Sequence, residues 1–208
     1  MCIRDRGETA LILGAAGGVG TAAVQLARGA GLRVIGTAGT EAKRRFVTDQ
    51  LGAEACFDSR GDWEPGVAAH AGERGIDVAL DAVGGSATRS CQRLLAPLGR
   101  IVFYGLSDAM PGRSRNWLRA ARAWLNTPRF HPLSLIKPGI GISGVHLLHL
   151  HAQEELLREH LGRILDDVAS GRLRAVVDRS FPLTREGAVA AHRYIHERRN
   201  LGKVVLSR

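Results

Sequence analysis

The stretch Gly14-Ala15-Ala16-Gly17-Gly18-Val19-Gly20 spaces its glycines in a way suited to bringing main chain against phosphate. Set on the dinucleotide fingerprint G-x-G-x-x-G, the three slots fall on Ala15, Gly17 and Gly20, so alanine stands in the first. The chemistry survives because each slot has its own steric task. Gly17 lacks a Cβ, which lets the backbone approach a pyrophosphate, and Gly20 lets a following helix pack closely on the preceding strand. The amides at that helix start then meet the phosphates, aided by the helix dipole, for about 0.3–1 kcal/mol. A glycine-rich turn without a ligand is the plain alternative. The strand before this loop and the helix after it are the context that favours the dinucleotide.

A second group of residues bears on which dinucleotide. An NAD site places an acid about 20 residues past the glycines to hold the ribose hydroxyls. Here the sequence reads Gly36-Thr37-Ala38-Gly39-Thr40-Glu41-Ala42-Lys43-Arg44-Arg45, with no acid at Thr37 or Ala38. Thr40, Lys43 and Arg44 instead offer a hydroxyl and two cations, which suit a 2′-phosphate. Glu41 falls in a first helical turn, where an acid complements the dipole. NADP is therefore expected over NAD, against the bland reading of Lys43 and Arg44 as a solvated helix face.

Other clusters carry less. His146, His149 and His151 sit on a strand running into a turn, with no carboxylate or Cys beside them, and are not read as metal ligands. His192 and His196 have i, i+4 spacing, but Arg193 stands where H-E-x-x-H requires Glu. Ser86, Ser90 and Asp81 form no nucleophile elbow, since no G-x-S-x-G is present. Arg115, Arg119 and Arg122 share one helical face near Trp117, Leu118, Ala121 and Leu125. That face reads either as water-facing arginines over a cleft or as a membrane or nucleic-acid helix.

The elements that position these residues alternate. Strands are expected at Thr9–Gly14, Leu32–Gly36, Glu54–Phe57, Asp77–Asp81, Arg100–Gly105 and Ile140–Leu147, with helices at Gly18–Gly29 and Glu41–Leu51. The pattern predicts an α/β doubly wound parallel sheet of Rossmann type, about six strands. Gln153–Ser170 follows as an amphipathic helix with Leu156, Leu157, Leu161, Ile164, Leu165 and Val168 on its inner side. Pro182 marks a bend, Arg185–Arg198 reads as a helix and Lys203–Leu206 as a terminal strand. The division expected is residues 1–6 (MCIRDR) as a non-native scar, 7–175 as the NADP-binding domain and 176–208 as a C-terminal segment of another lobe.

With 208 residues, 45% of them apolar, and a mean hydropathy of -0.05, the chain can build a core. No run approaches the roughly 20 apolar residues of a membrane span, and the N-terminus has no signal-peptide core, so a cytoplasmic protein is expected. Cys2, Cys56 and Cys91 are scattered and read as idle thiols. The net charge of +9 invites an anionic partner. Yet Lys43, Lys137 and Lys203 are the only lysines, and such an arginine bias also follows from a GC-rich genome.

The segment LILGAAGGVGTAAVQLARGAGLRVIGTAGT resembles the cofactor segment of the medium-chain dehydrogenase/reductase superfamily, in its zinc-independent quinone oxidoreductase (zeta-crystallin-like) branch. IDVALDAVGG and RLLAPLGRIVFYG resemble that branch's fourth and fifth strand motifs. RAWLNTP, GVHLLHL and RRNLGKVVL are similar to the synaptic vesicle amine transport protein homologues. The resemblance spans everything after Arg6, with its motifs in order.

It implies NADPH-dependent reduction of a quinone or enone without zinc. Carried over by position, Ala16, Gly17, Gly18 and Val19 would cradle the pyrophosphate, and Gly39 and Lys43 would face the ribose phosphate. Gly84, with Phe103, Tyr104, Gly105 and Leu106, would line the adenine and nicotinamide channel, and Gly144, Val145 and His146 would approach the nicotinamide. Asn200 and Lys203 match the closing N-x-G-K-V-V-L. Ser59 stands where relatives often carry Tyr, so a ring contact is lost. The resemblance also implies an upstream catalytic domain, absent here, which would hold the catalytic residues and leave this chain inactive and prone to aggregate alone. A homodimer through the sixth-strand edge is implied as well. The rival class is a nucleotide-binding module acting on RNA or at a membrane surface.

Overall fold

The computed structural model describes residues 7–107, 125–146, 149 and 151–208. Six parallel strands form one sheet: β1 (Thr9–Ile12), β2 (Arg33–Ala38), β3 (Ala55–Asp58), β4 (Ile76–Asp81), β5 (Leu95–Phe103) and β6 (Gly141–Gly144). Their spatial order is β3-β2-β1-β4-β5-β6. The chain builds outward from β1 to β3, then crosses back to place β4 on the other side of β1. The β1/β4 boundary is thus the topological switch point, where open parallel sheets bind ligands at the carboxyl ends of their strands.

Alternation along the central strands explains the two-sided core. Ala10 and Ile12 of β1 join Val24, Val34, Val47 and Val78 on one face. Leu11, with Leu13 just beyond the strand, joins Ile35, Val67, Ile76 and Ile101 on the other. Each large aliphatic side chain so buried contributes about 1.5–3 kcal/mol. The first face is covered by α1 (Gly20–Gly29) and by Phe46, Val47 and Leu51, which follow α2 (Glu41–Arg45), the second by α3 (Glu64–Ala71) and α4 (Ser86–Leu94).

Several boundaries differ from those expected. The helix predicted over Glu41–Leu51 is α2 followed by one π turn at Phe46–Gln50, in which Leu51 N–H donates to the Phe46 carbonyl (3.2 Å). Neither α3 nor α4 stands out in the sequence. The first contains Pro65 and Gly66, and the second buries only Thr88, Cys91 and Leu94. Strand β5 begins at Leu95, five residues before the expected Arg100, and its pairing to β4 shifts register on the way.

A short helix, α5 (Pro132–Ile136), precedes β6, and α6 (Glu154–Ala169) follows it. The leucine-rich side of α6 is not an inner side: Leu161 is 56% and Leu165 58% exposed, and none of the helix is buried. An amphipathic pattern shows that a face suits apolar cover; the described residues do not supply it. The remainder is β7 (Val177–Pro182), α7 (Arg185–His196) and β8 (Lys203–Ser207), a separate two-stranded parallel sheet with its crossover helix. Pro182 therefore ends a strand, where the sequence suggested only a bend. A Cβ on Gly187 would lie 2.0 Å from the Pro182 carbonyl oxygen, so α7 packs directly on the end of β7.

The arginine helix expected around Arg115, Arg119 and Arg122 lies outside the described residues, as does MCIRDR. Among the described residues, no helix is long and apolar enough to cross a membrane.

Candidate dinucleotide site

After β1 the chain turns at Gly14 (φ +68°) and enters α1 at Gly20. A Cβ on Gly20 would lie 2.3 Å from the Gly14 carbonyl oxygen, so this slot accepts only glycine. Alanine in the first slot also has a local reason. Ala15 is fully buried and its N–H donates to Thr37 (2.9 Å), tying the loop to β2. A Cβ on Gly36 would lie 2.9 Å from the Ala15 methyl, so Gly36 leaves the room that the methyl fills. Helix α1 has no side-chain cap and no acid in its first turn. The amides of Gly18, Val19 and Gly20 have no hydrogen-bond acceptor among the described residues. Unpaired amides, small side chains and a positive dipole end are a donor set that fits a pyrophosphate.

The C-terminal segment closes over this loop. Gly202 N–H donates to Ala16 (2.8 Å), Gly17 bridges Gly202, and a Cβ on Gly18 would meet the Lys203 side chain at 2.8 Å. Asn200 stabilises the turn by donating its side-chain amide to the Gly202 carbonyl (2.9 Å). Asn200 and Lys203 thus come to the glycine loop across about 180 residues of sequence, the kind of long-range pairing on which no local pattern reports.

Beyond the end of β2, Lys43 Nζ donates to the main-chain oxygens of Arg198 (2.8 Å) and Asn200 (2.6 Å). An ammonium has three donors, and these bonds use two. Burial lowers the Lys43 pKa, Asp178 opposes that, and Arg60 and Arg198 reinforce it. The other polar groups expected here are engaged elsewhere. Thr40 caps α2 through the Lys43 amide (3.4 Å), and Arg44 pairs with Asp58 (3.0 Å). Glu41 pairs with Arg45 in the first turns of α2. Gly39 faces Arg60 and Ser59: a Cβ there would lie 3.2 Å from Arg60 Nε and 3.5 Å from Ser59 Oγ.

At the end of β4, Asp81 is fully buried and organises the next turn. Its Oδ1 accepts from Val83 (2.7 Å) and Gly84 (2.9 Å), and its Oδ2 from the Thr88 hydroxyl (2.6 Å). Gly84 and Gly85 both take positive φ, +79° and +62°. A cleft of about 340 Å³ runs from Gly84 and Val83 past Trp63 to Ser59 and Arg60. Leu106 packs over Gly84, and Gly105 lies against the Ala82 carbonyl. Tyr104 is turned into the core beside β1, its hydroxyl 3.4 Å from the Leu13 carbonyl, and burial pushes its pKa up to about 12. Phe103 is half-buried near Phe130, and Val145 N–H donates to its carbonyl (2.7 Å). Gly144 lies in open space, and the His146 and His149 rings meet at a tilt, their centroids 4.9 Å apart.

The structure therefore gathers the glycine loop, Gly39, Lys43, Asn200 and Lys203 at one end, and Gly84, Gly105 and Leu106 at the neighbouring strand ends. Tyr104 is directed away from that surface. Asp81, Arg60 and Arg198 were not singled out as binding residues in the sequence; an acid closing a buried strand before two glycines was the only local signal, and it pointed to Asp81. Among the described residues, no group of three or more His, Cys, Asp or Glu is placed to hold a metal ion.

Residues 18–157 match the family model described as zinc-binding dehydrogenase. The chain is 31% identical over 201 residues to the synaptic vesicle membrane protein VAT-1 homolog of Danio rerio, covering 96% of this chain and 41% of that protein. The human protein of the same name is also 31% identical, with 96% of this chain and 50% of that one covered. The chain thus spans about half the length of the curated relatives it matches. Among solved structures, a mycobacterial protein complexed with NADPH aligns with a TM-score of 0.79 at 25% identity, over 98% of this chain and 58% of that one. A 2-haloacrylate reductase aligns with a TM-score of 0.76 at 28% identity, over 98% and 59%.

Proposed function

The chain belongs to the zinc-binding dehydrogenase family, and from that membership we propose that it is the cofactor-binding part of an NADPH-dependent reductase of the medium-chain dehydrogenase/reductase superfamily. The observation that carries this reading is the convergence of unpaired glycine-loop amides with Lys43 and Lys203 under one C-terminal clamp. Ala16, Gly17, Gly18 and Val19 hold the pyrophosphate, Gly39 and Lys43 face the 2′-phosphate, and Asn200 and Lys203 close the loop from above. Gly84 borders the cleft for the remaining rings, with Leu106 packed over it and Gly105 beside Ala82, while Phe103, Gly144, Val145 and His146 flank the nicotinamide end. When bound, NADPH supplies a hydride from nicotinamide C4 to an electron-poor carbon of an enone or quinone. The contribution of this chain is to fix the cofactor and shield one side of it.

Two subsidiary proposals accompany this. The β7–α7–β8 unit, from residue 176, is organised apart from the six-stranded sheet. The outer edge of β6, unpaired among the described residues, supports a homodimer. The test of function is NADPH consumption with an enone or p-quinone, measured for this chain and for the chain extended to its relatives' length. Turnover that survives high salt is expected from the extended protein. No turnover, together with salt-sensitive binding to RNA or anionic vesicles, would favour the nucleotide-binding module instead.

A further inference from the structure

Three arginines stand around the carboxyl ends of β2 and β3, and they differ in what they touch. Arg44 is neutralised by Asp58, and Arg45 by Glu41. The guanidinium of Arg60 has no ion pair and no side-chain hydrogen bond among the described residues. Its place is nonetheless defined, because the Arg60 N–H donates to Asp58 Oδ1 (2.9 Å) and closes the turn that follows β3. From that turn the side chain extends over Gly39, close enough that a Cβ on Gly39 would lie 3.2 Å from Arg60 Nε and 3.6 Å from Nη2. Gly39 does not have positive φ, so its backbone does not require glycine, and a side chain there would crowd this guanidinium.

We infer that Arg60 is a specificity-determining residue for the 2′-phosphate of the cofactor, a reading that rests on the NADPH assignment above. A guanidinium presents paired donors that match phosphate oxygens bidentately, and it stays charged at every working pH. Lys43 supplies a point charge with one remaining donor, and its field is shared with Arg60 and Arg198. Arg198 is committed elsewhere, its Nη2 donating to the Ser107 carbonyl (3.1 Å). Among the described residues, Arg60 therefore has no side-chain partner to release on meeting a phosphate. Ser59 beside it is small, and both residues line the same cleft that leads past Trp63 to Gly84.

The experiment titrates the wild-type chain, R60Q and R60K with adenosine 2′,5′-bisphosphate and with adenosine 5′-monophosphate. Wild type should bind the bisphosphate at least about tenfold more tightly, as a charge-assisted contact warrants. In R60Q that preference should fall about tenfold, with monophosphate affinity unchanged, and R60K should recover only part of it. Arg60 is exposed, so the melting temperature of R60Q should match wild type and separate a binding effect from a folding one. If R60Q keeps the wild-type ratio, the inference is overturned while the NADPH reading stands. If wild type itself does not distinguish the two nucleotides, both fall.

Discussion

The Lys43 ammonium donates a 2.6 Å hydrogen bond to the main-chain carbonyl of Asn200, joining the start of α2 to the loop before β8. One side chain thereby links two parts of the candidate site that lie far apart in sequence. Replacing Lys43 by Glu should weaken NADPH by about 10–100-fold, the range of a lost hydrogen bond to a charged group, and NADH much less. Parallel calorimetric titrations check this, and equal losses for the two cofactors would remove the phosphate role.

The same lysine sets a pH dependence. Its pKa lies below 10.5, chiefly through burial, so the folded chain releases this proton at lower pH than the unfolded chain. Stability from this group therefore rises with pH across the interval below 10.5. NADPH selectivity moves the opposite way, falling over that interval as the ammonium is lost. Titrations at increasing pH on wild type and Lys43→Met would expose the difference; a selectivity curve identical in both would reject it.

The glycine loop separates two kinds of damage. Gly17→Asp should abolish dinucleotide binding by adding bulk and charge where a pyrophosphate must sit, while leaving the fold largely intact. Gly20→Ala should instead destabilise the fold by about 1–3 kcal/mol, the usual range for overpacking, because its methyl meets the Gly14 carbonyl at 2.3 Å. Urea unfolding and NADPH titration on both variants distinguish these effects. Wild-type affinity in Gly17→Asp would rule out the loop assignment.

Asp81 holds its turn with three hydrogen bonds from within the protein. Asp81→Ala leaves Val83, Gly84 and Thr88 without their acceptor and should cost about 1.5–3 kcal/mol or more. Urea midpoints measure it. An unchanged midpoint would show that the Gly84–Gly85 turn holds its shape without this carboxylate.

Burial pushes the Cys56 thiol up to about 12, and the Cys91 thiol well above its ordinary value. Both stay protonated and unreactive at about pH 8, where only the thiolate attacks. Iodoacetamide applied to the folded chain should spare both until denaturant is added, as peptide mass mapping would show. Rapid modification of Cys91 in the folded chain would contradict its complete burial.

The parts of this fold legible in the sequence are those in which one local pattern has one structural cause. The TALI run is apolar after Thr9 because β1 is covered on both faces, and the glycines after it follow from steric contacts within a few residues. Helix α4 was hidden because only Thr88, Cys91 and Leu94 face the core, and β7 because its side chains are almost all exposed. The leucines of α6 were legible as a stripe, yet a stripe does not say what covers it. In the site, Lys43 was legible from residue type and position. The partners at Arg198 and Asn200 and the approach of Arg60 to Gly39 depend on tertiary contact.

The central claim is that this chain carries a nucleotide site selective for the 2′-phosphate, and thermal stability in the presence of NADPH and NADH tests it most directly. The melting temperature should climb with NADPH concentration as mass action requires, with a much smaller shift from NADH at equal concentration. Equal shifts from the two cofactors, or a larger shift from NADH, would contradict it.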